Sequence, residues 1–469
     1  MHRRAAWRFV TLGSVFTPLE QSAVFSRQAE VYERLGMRAW SEGIVPWRAT
    51  TCPLLAEVEA ELIASFDADA RAAGALGPED VLTIVDVGAG TGRLGFQLAP
   101  LLAARGVRAK LVLTDVSPSN VEALASHQQL ASLAAAGLVT FARFDALAPT
   151  PLGDSGATVL LAHYLFDTLP HRAFRVTPEG GFEGLVDVEQ EPWAWRYQPA
   201  EVPAALTARG EGTSLLPVGA ARALTAWRDC FTGPVLVLAA DKGVEPRGVA
   251  EDPLLARHES VSAGVDFEAL ASMAPAFRHL SPSTPSNVFA LHAFVSAPSG
   301  PPKFEEAWRS RGSKNEVLGL LERFDALLKT APSIDAMFGL LDESRADPDL
   351  LAQLASRLNE SALTSSQATH LVQLLVRAAQ QHFVFRQQLD VPFTLAITAH
   401  HVGALELAVA LYLLSLQESG AHASTLLNLA LAQHALSRHA LACETLEVLL
   451  AHTADHPRAL ALLTEWRGG

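Results

Sequence analysis

The chain predicts an α/β fold built on a doubly wound, mostly parallel sheet, followed by an all-helical C-terminal segment. Three observations carry this expectation. Between residues 81 and 296, short apolar runs alternate with helix-compatible stretches, the pattern of strands joined by crossover helices. One of these runs, Val81 to Val87, stops at the glycine cluster Gly88-Ala-Gly-Thr-Gly92, and helix-compatible residues resume at Arg93. Beyond Ser296-Ala-Pro-Ser-Gly-Pro-Pro-Lys303, a linker composition, nearly all residues are helix formers. The expected units are an N-terminal helical cap (1–80), an α/β domain (81–296), a Pro/Gly linker (297–303) and a helical domain (304–469).

Length and composition bound the function classes. A chain of 469 residues with a hydrophobic share of 49% has material for two or three real cores. The net charge of −14 argues against a nucleic-acid partner held through a broad basic surface. The cysteines Cys52, Cys230 and Cys443 lie far apart and form no metal-ligand spacing, so no metal site and a reduced, cytoplasmic setting are expected. The basic start Met1-His-Arg-Arg4 is not followed by a long apolar core and does not read as a signal peptide. No apolar run is long enough for a membrane span.

The elements follow in order. Ser26 is placed to cap a helix running to Leu35, with Gly36 as its stop. Thr51 before Pro53 opens a second helix, Leu54 to Phe66, with Leu55, Val58 and Leu62 on one face. Between them Ala39 to Thr50 is rich in aromatic and turn residues, and reads either as a packed connector or as a substrate-facing loop. Strands are expected at 82–87, 111–114, 138–143, 157–162, 234–240, 277–280 and 287–295. Ligands of such sheets sit at the carboxyl ends of the strands. Gly88, Asp115, Asp145 and His163 fall at those ends.

The glycine cluster points to a nucleotide-type cofactor. Gly88, Gly90 and Gly92 let the backbone turn sharply and a ligand lie against it. The carboxylate Asp115, at the end of the next strand, suits the two hydroxyls of a ribose. Gly90-Thr-Gly92-Arg-Leu-Gly95 also fits the dinucleotide pattern G-x-G-x-x-G, so NAD competes at this point. The fuller string Asp86-Val-Gly88-Ala-Gly90-Thr-Gly92 resembles motif I of the class I S-adenosylmethionine (SAM) methyltransferases. That resemblance implies a Rossmann-like seven-stranded sheet with SAM as cofactor. It also implies that the loop wraps the methionine part, that Asp86 steadies the loop, and that Asp145 meets the adenine amino group.

The acceptor side of such an enzyme lies beyond the fourth strand. Here it reads Ala162-His-Tyr-Leu-Phe-Asp-Thr-Leu-Pro-His-Arg-Ala-Phe174. His163 is a candidate base or orienting group. Tyr164 is a candidate to cover the methyl group or stack on a planar acceptor. Asp167 is a candidate to hold a cationic acceptor such as a guanidinium. The structural alternatives are a hydrogen-bonded core histidine and a turn-capping aspartate.

This block, with Leu236-Val-Leu-Ala-Ala-Asp-Lys-Gly243, resembles the MidA-type SAM methyltransferases, whose members include the mitochondrial protein-arginine methyltransferase of complex I assembly. The likeness spans roughly residues 80–245. It implies that Trp193 to Tyr197 and Leu216-Pro217 lie in acceptor-binding segments. His163 and Tyr164 stand where that family has Asn and Glu, and Lys242 stands where it has Tyr.

The C-terminal segment contains an internal repeat. Phe393, Ala396, Ala408 and Tyr412 recur 34 residues later as Leu427, Ala430, Ala442 and Leu446. This spacing resembles tetratricopeptide (TPR) repeats, with an ordinary helical bundle as the alternative. The resemblance implies a surface for a protein or peptide partner and groups the chain with bacterial methyltransferase–TPR fusions. The resulting expectation is a SAM-dependent methyltransferase acting on a protein acceptor. A non-catalytic adaptor with a retained cofactor fold is the alternative, and an NAD-dependent oxidoreductase ranks third.

Overall fold

The computed structural model describes residues 15–468, apart from 46–47, 154–155, 191, 208, 245–247, 254, 258–260, 285, 298–299 and 386–388. The basic start, Pro46 and Trp47 of the aromatic connector, and part of the linker therefore lie outside the described residues.

The chain opens with a short strand β1 (Thr17–Pro18) and helix α1 (Ala23–Leu35). Ser22, not Ser26, caps α1: its Oγ accepts from Val24 N at 3.5 Å, while Ser26 lies inside the first turn. A single turn, α2 (Arg38–Ser41), leads to α3 (Pro53–Ala72). Pro53 occupies the first helical position, where its missing N–H costs nothing. The expected apolar face of α3 is buried, and the helix runs six residues past Phe66 because Ala70 continues the buried stripe.

The sheet follows as β2 (Leu82–Asp86), α4 (Arg93–Ala104), β3 (Ala109–Asp115), α5 (Pro118–Ser126), α6 (Gln128–Ala135), β4 (Val139–Arg143) and β5 (Thr158–His163). Between β5 and Val235 the chain builds a second sheet that the alternation of apolar runs does not predict. Its strands are β6 (Arg172–Thr177), β7 (Gly180–Asp187), β8 (Ala194–Pro199) and β9 (Gly212–Leu216), and β1 pairs with β7. The one-turn α7 (Ala204–Thr207) lies before β9, and α8 (Val218–Cys230) after it. Then come β10 (Val235–Asp241), the hairpin β11 (Leu255–Arg257) and β12 (Val261–Ala263), α9 (Phe267–Met273), β13 (Arg278–Leu280) and β14 (Ala290–Ser296).

Among the described residues the main sheet has seven strands in the order β13-β14-β10-β5-β2-β3-β4. β10, β5, β2, β3 and β4 are parallel, and β14 runs antiparallel between β10 and β13. The order reverses at β5–β2–β3, where the glycine cluster leaves β2. Alternate residues serve two cores, as the period of a strand requires. Ile84, Leu113, Leu161 and Leu238 face α3 and α4. Val85, Leu160 and Val237 face α8 and α9, where Trp227 is fully buried.

The remainder is helical: α10 (Pro302–Ser310), α11 (Glu316–Leu328), α12 (Ile334–Glu343), α13 (Pro348–Glu360), α14 (Ser365–Gln381), α15 (Val391–His401), α16 (Leu405–Ser419), α17 (Ala423–Ala435), α18 (His439–His452) and α19 (Pro457–Gly468). Helix begins at Pro302, within the expected linker. α10 packs directly on α3, with Phe304 6.3 Å from Phe66 in an edge-on contact. One continuous apolar core runs from α3 and the sheet through α10 to α17, where Leu429 and Ala432 belong to it. The repeated alanines Ala396, Ala408, Ala430 and Ala442 are all fully buried in the α15–α16 and α17–α18 hairpins. Their small side chains let paired backbones approach closely. Pro457 opens α19, after the end of the second hairpin.

Candidate functional site

A cavity of about 330 Å³ opens at the carboxyl ends of β2, β3, β4 and β5. Seven of the nine sequence-predicted site residues line it: Asp86, Gly88, Gly90, Asp115, Asp145, His163 and Tyr164. Gly92 and Asp167 do not.

The glycine turn explains two positions in physical terms. Gly90 has φ +56°, and a Cβ there would lie 2.9 Å from Nε1 of Trp40. Gly92 has φ +77°, and a Cβ there would meet Leu130 at 2.6 Å and Leu124 at 2.8 Å. Gly90 therefore keeps the cavity wall thin, whereas Gly92 serves the packing of the turn on α5 and α6. The turn is held by Ala89 N, which donates to Thr114 O at 2.7 Å, and by Thr114 Oγ1, which donates to Asp86 O at 2.7 Å.

Asp115 is presented in one orientation. Its Oδ1 accepts from Ser117 N at 2.9 Å and its Oδ2 from Asn120 Nδ2 at 3.2 Å. Burial pushes its pKa above the usual carboxylate range, against the pull of these hydrogen bonds. Asp145 follows β4 and is solvent-exposed, with Oδ1 accepting from Leu147 N at 2.9 Å.

At the end of β5 the site is buried and charged. His163 Nε2 lies 2.7 Å from Glu59 Oε1, and the Glu59 side chain is fully buried. Burial works against the charged imidazole, yet the carboxylates of Glu59 and Asp86 together raise its pKa. Burial lifts Asp86 to about 7; His163 opposes that shift and Glu59 adds to it. The next residue, Tyr164, adopts φ +46°, a left-handed conformation uncommon for an aromatic residue. Its N–H donates to Ala240 O at 2.9 Å, and burial with Asp241 and Asp167 nearby keeps its phenol protonated.

Asp167 sits behind this wall. Its N–H donates to Asp241 Oδ2 at 3.1 Å, and its own Oδ2 lies 3.7 Å from Lys242 Nζ. The cation expected opposite Asp167 is thus supplied by the chain's own Lys242. Burial raises Asp167 to about 6, with Lys242 drawing it down.

Sequence reasoning missed Gln28 and Tyr32 of α1, which close the cavity from the N-terminal side together with Trp40 of α2 and Thr50, both in the 39–50 segment read as a connector or a substrate-facing loop. It also missed Asn120 and Glu59. Both had a signal. Asn120 stands five residues after Asp115, one turn into the next helix. Glu59 falls among Leu55, Val58 and Leu62 on the apolar stripe of α3, where an acid has no structural reason to be.

Among the described residues, no helix is long and apolar enough to cross a membrane, and no group of three or more His, Cys, Asp or Glu is arranged to hold a metal.

Comparison with solved structures returns distant likenesses. An uncharacterised protein from Burkholderia thailandensis is 16% identical, with 62% of this chain and 90% of that one covered and a TM-score of 0.43. A second structure from that organism, of a protein bound to S-adenosyl-homocysteine, is 18% identical over 55% of this chain and 79% of that one, with a TM-score of 0.36. Among curated proteins nothing matches. Residues 70–258 match the sequence profile of a family described as "Putative S-adenosyl-L-methionine-dependent methyltransferase". That segment contains the glycine turn and every predicted site residue from Asp86 to Asp167, and the match supports S-adenosylmethionine as its cofactor.

Proposed function

We propose that the chain is a SAM-dependent methyltransferase of the class I type, and that its acceptor is a protein side chain. The observation that carries the reading is the convergence of the Gly88–Gly90 turn, Asp115 and Asp145 on one cavity at the switch point of a parallel sheet, inside the segment matched by the family. These residues fit the cofactor. Gly90 leaves room for a ligand against the backbone, Asp115 is aimed by Asn120 and Ser117 at hydroxyl donors, and Asp145 stands at the next strand end for an exocyclic amine. The bound cofactor would supply an activated methyl group. The chain's own part is to hold the acceptor in line with it, to exclude water and to manage a proton.

His163 is placed for that last task. Glu59 fixes its ring from one side and the cavity lies on the other. Tyr164 offers a neutral aromatic surface beside it, able to border a methyl group or stack on a planar acceptor. Asp167 lies outside this wall, paired with Lys242, and does not touch the acceptor.

The helical tail supports the protein-acceptor part of the reading. The α15–α16 and α17–α18 hairpins repeat the buried-alanine pattern of TPR units, which present grooves to peptides. Isothermal titration with SAM and S-adenosyl-homocysteine tests the cofactor. Transfer of tritiated methyl groups to a cell lysate, with identification of the labelled species, tests the acceptor: label in protein supports the reading, and label in small molecules alone contradicts it.

A further inference from the structure

The glycine turn does not rest on the α/β segment alone. Arg93 is the first residue of α4 and directly follows Gly92. Its guanidinium is buried and paired with the carboxylate of Asp349, in the first turn of α13, more than 250 residues away in the chain. Burial opposes the charge on Asp349, yet Arg93 holds its carboxyl below the usual range. Asp347 fixes this end of α13: its Oδ1 accepts from Asp349 N at 2.8 Å and Leu350 N at 3.1 Å.

A second contact is independent of that pair. The segment 382–385, which follows α14, lies against α4 and against the junction of α5 and α6. Phe383 stacks on His127 at 4.3 Å, with 13° between the planes, and meets Phe96 at 5.4 Å. Gln129 reads the backbone of the segment in both directions: its Nε2 donates to His382 O at 2.9 Å, and Val384 N donates to its Oε1 at 2.7 Å. His127 Nε2 lies 2.7 Å from Val384 O.

The elements gripped are those that form the cofactor cradle. α4 carries Leu94 to the cavity wall, and α5 carries Asn120, which orients Asp115. A buried ion pair is weak evidence for stability, because desolvation offsets much of the attraction. Its geometric specificity is a different matter: without the Asp349 carboxylate the buried Arg93 guanidinium would be held less firmly, and the turn that precedes it would be freer to move.

We infer that Arg93 and Asp349 are a positioning pair for the cofactor turn, and that α13 with the segment 382–385 is a working part of the cofactor site rather than a separate recruitment tail. The inference rests on the reading of the cavity as a SAM site. Coupling of this kind is reciprocal. Cofactor binding must therefore tighten α13 and the 382–385 segment by as much as their grip favours binding.

The test is hydrogen exchange of the intact chain with and without saturating S-adenosyl-homocysteine, together with titration of two variants. Slower exchange is expected at 349–356 and 382–385, with α17 and α18 unchanged. Asp349→Asn should bind S-adenosyl-homocysteine about tenfold more weakly. Gln129→Ala leaves no buried charge unpaired, so it remains informative if Asp349→Asn fails to fold, and it should weaken binding in the same direction. If the unaltered chain binds S-adenosyl-homocysteine but exchange at these segments does not change, the coupling is refuted. Unaltered affinity in the folded variants refutes it as well. If the unaltered chain does not bind at all, the cofactor reading itself falls, and this inference with it.

Discussion

Asp86, His163 and Glu59 form a buried cluster of two acids and one base, and its protonation sets a pH dependence with a definite sign. The Asp86 carboxyl has an ordinary value of 3.8 and is lifted to about 7 by burial in the folded chain. Below pH 4 it is protonated in folded and unfolded chains alike. Between about 4 and 7 only the folded chain keeps the proton, so the stability of the unliganded protein declines as pH rises through that window. His163 acts in the same direction, since its folded value is also raised: its contribution is complete below 6.5 and is lost as pH rises through the folded value. A cationic cofactor reverses the preference at Asp86, because it favours the carboxylate. SAM affinity should therefore rise as pH increases from 6 to 8, and Asp86→Asn should flatten that rise. Titration at several pH values decides this; an affinity that falls with pH would contradict the assignment of Asp86 to the cofactor side.

At the scale of elements, the β2–α4 turn was legible because glycines are rare where a strand meets a helix unless the backbone needs them. Gly90 and Gly106 both have positive φ, at 56° and 72°, but only Gly90 faces the cavity; a Cβ at Gly106 would meet open space. Alanine at either position should cost about 1–2 kcal/mol of stability from the left-handed backbone, and at Gly90 its Cβ must also displace the Trp40 ring, 2.9 Å away. Only Gly90→Ala should also weaken SAM binding. Chemical denaturation and titration of the two variants separate the effects, and equal affinity in both would remove Gly90 from the site. Most of the expected strands were legible for a related reason: they are apolar runs that stop near a turn residue, whereas β13, Arg278-His-Leu280, is not. The second sheet was not legible. Strands β6 to β8 mix charged and aromatic residues, as in Arg172-Ala-Phe-Arg-Val-Thr177 and Ala194-Trp-Arg-Tyr-Gln-Pro199, and β9 is Gly-Thr-Ser-Leu-Leu with only two apolar residues. Arg175 lies over Tyr197 at 3.5 Å and Arg172 pairs with Glu183, so these strands are stabilised by cross-strand cation–aromatic and ionic contacts that leave no apolar alternation to read.

For the whole molecule, the linker composition at 296–303 suggested a break, but Pro302 is a helix opener and Phe304 and Trp308 carry the chain back onto α3. Proline marks a boundary of elements in both cases, and only the apolar residues after it decide whether the next element leaves or docks. Glu59 stood out on its apolar stripe, but its partner, like that of Asp349, was hidden: His163 and Arg93 are brought to them by packing between segments far apart in sequence. Because one apolar core runs from α3 to α17, differential scanning calorimetry should give a single cooperative transition. Two separable transitions would show that the helical tail stands alone.

The central claim is that the cavity at the ends of β2 to β5 is a SAM site. Isothermal titration of the intact chain with S-adenosyl-homocysteine, alongside Asp115→Ala, tests it most directly. The account predicts one saturable site per chain, weakened by roughly 1–3 kcal/mol in the variant through loss of the ribose hydrogen bonds. A folded chain that gives no binding heat, or that binds equally well without the Asp115 carboxylate, would contradict it.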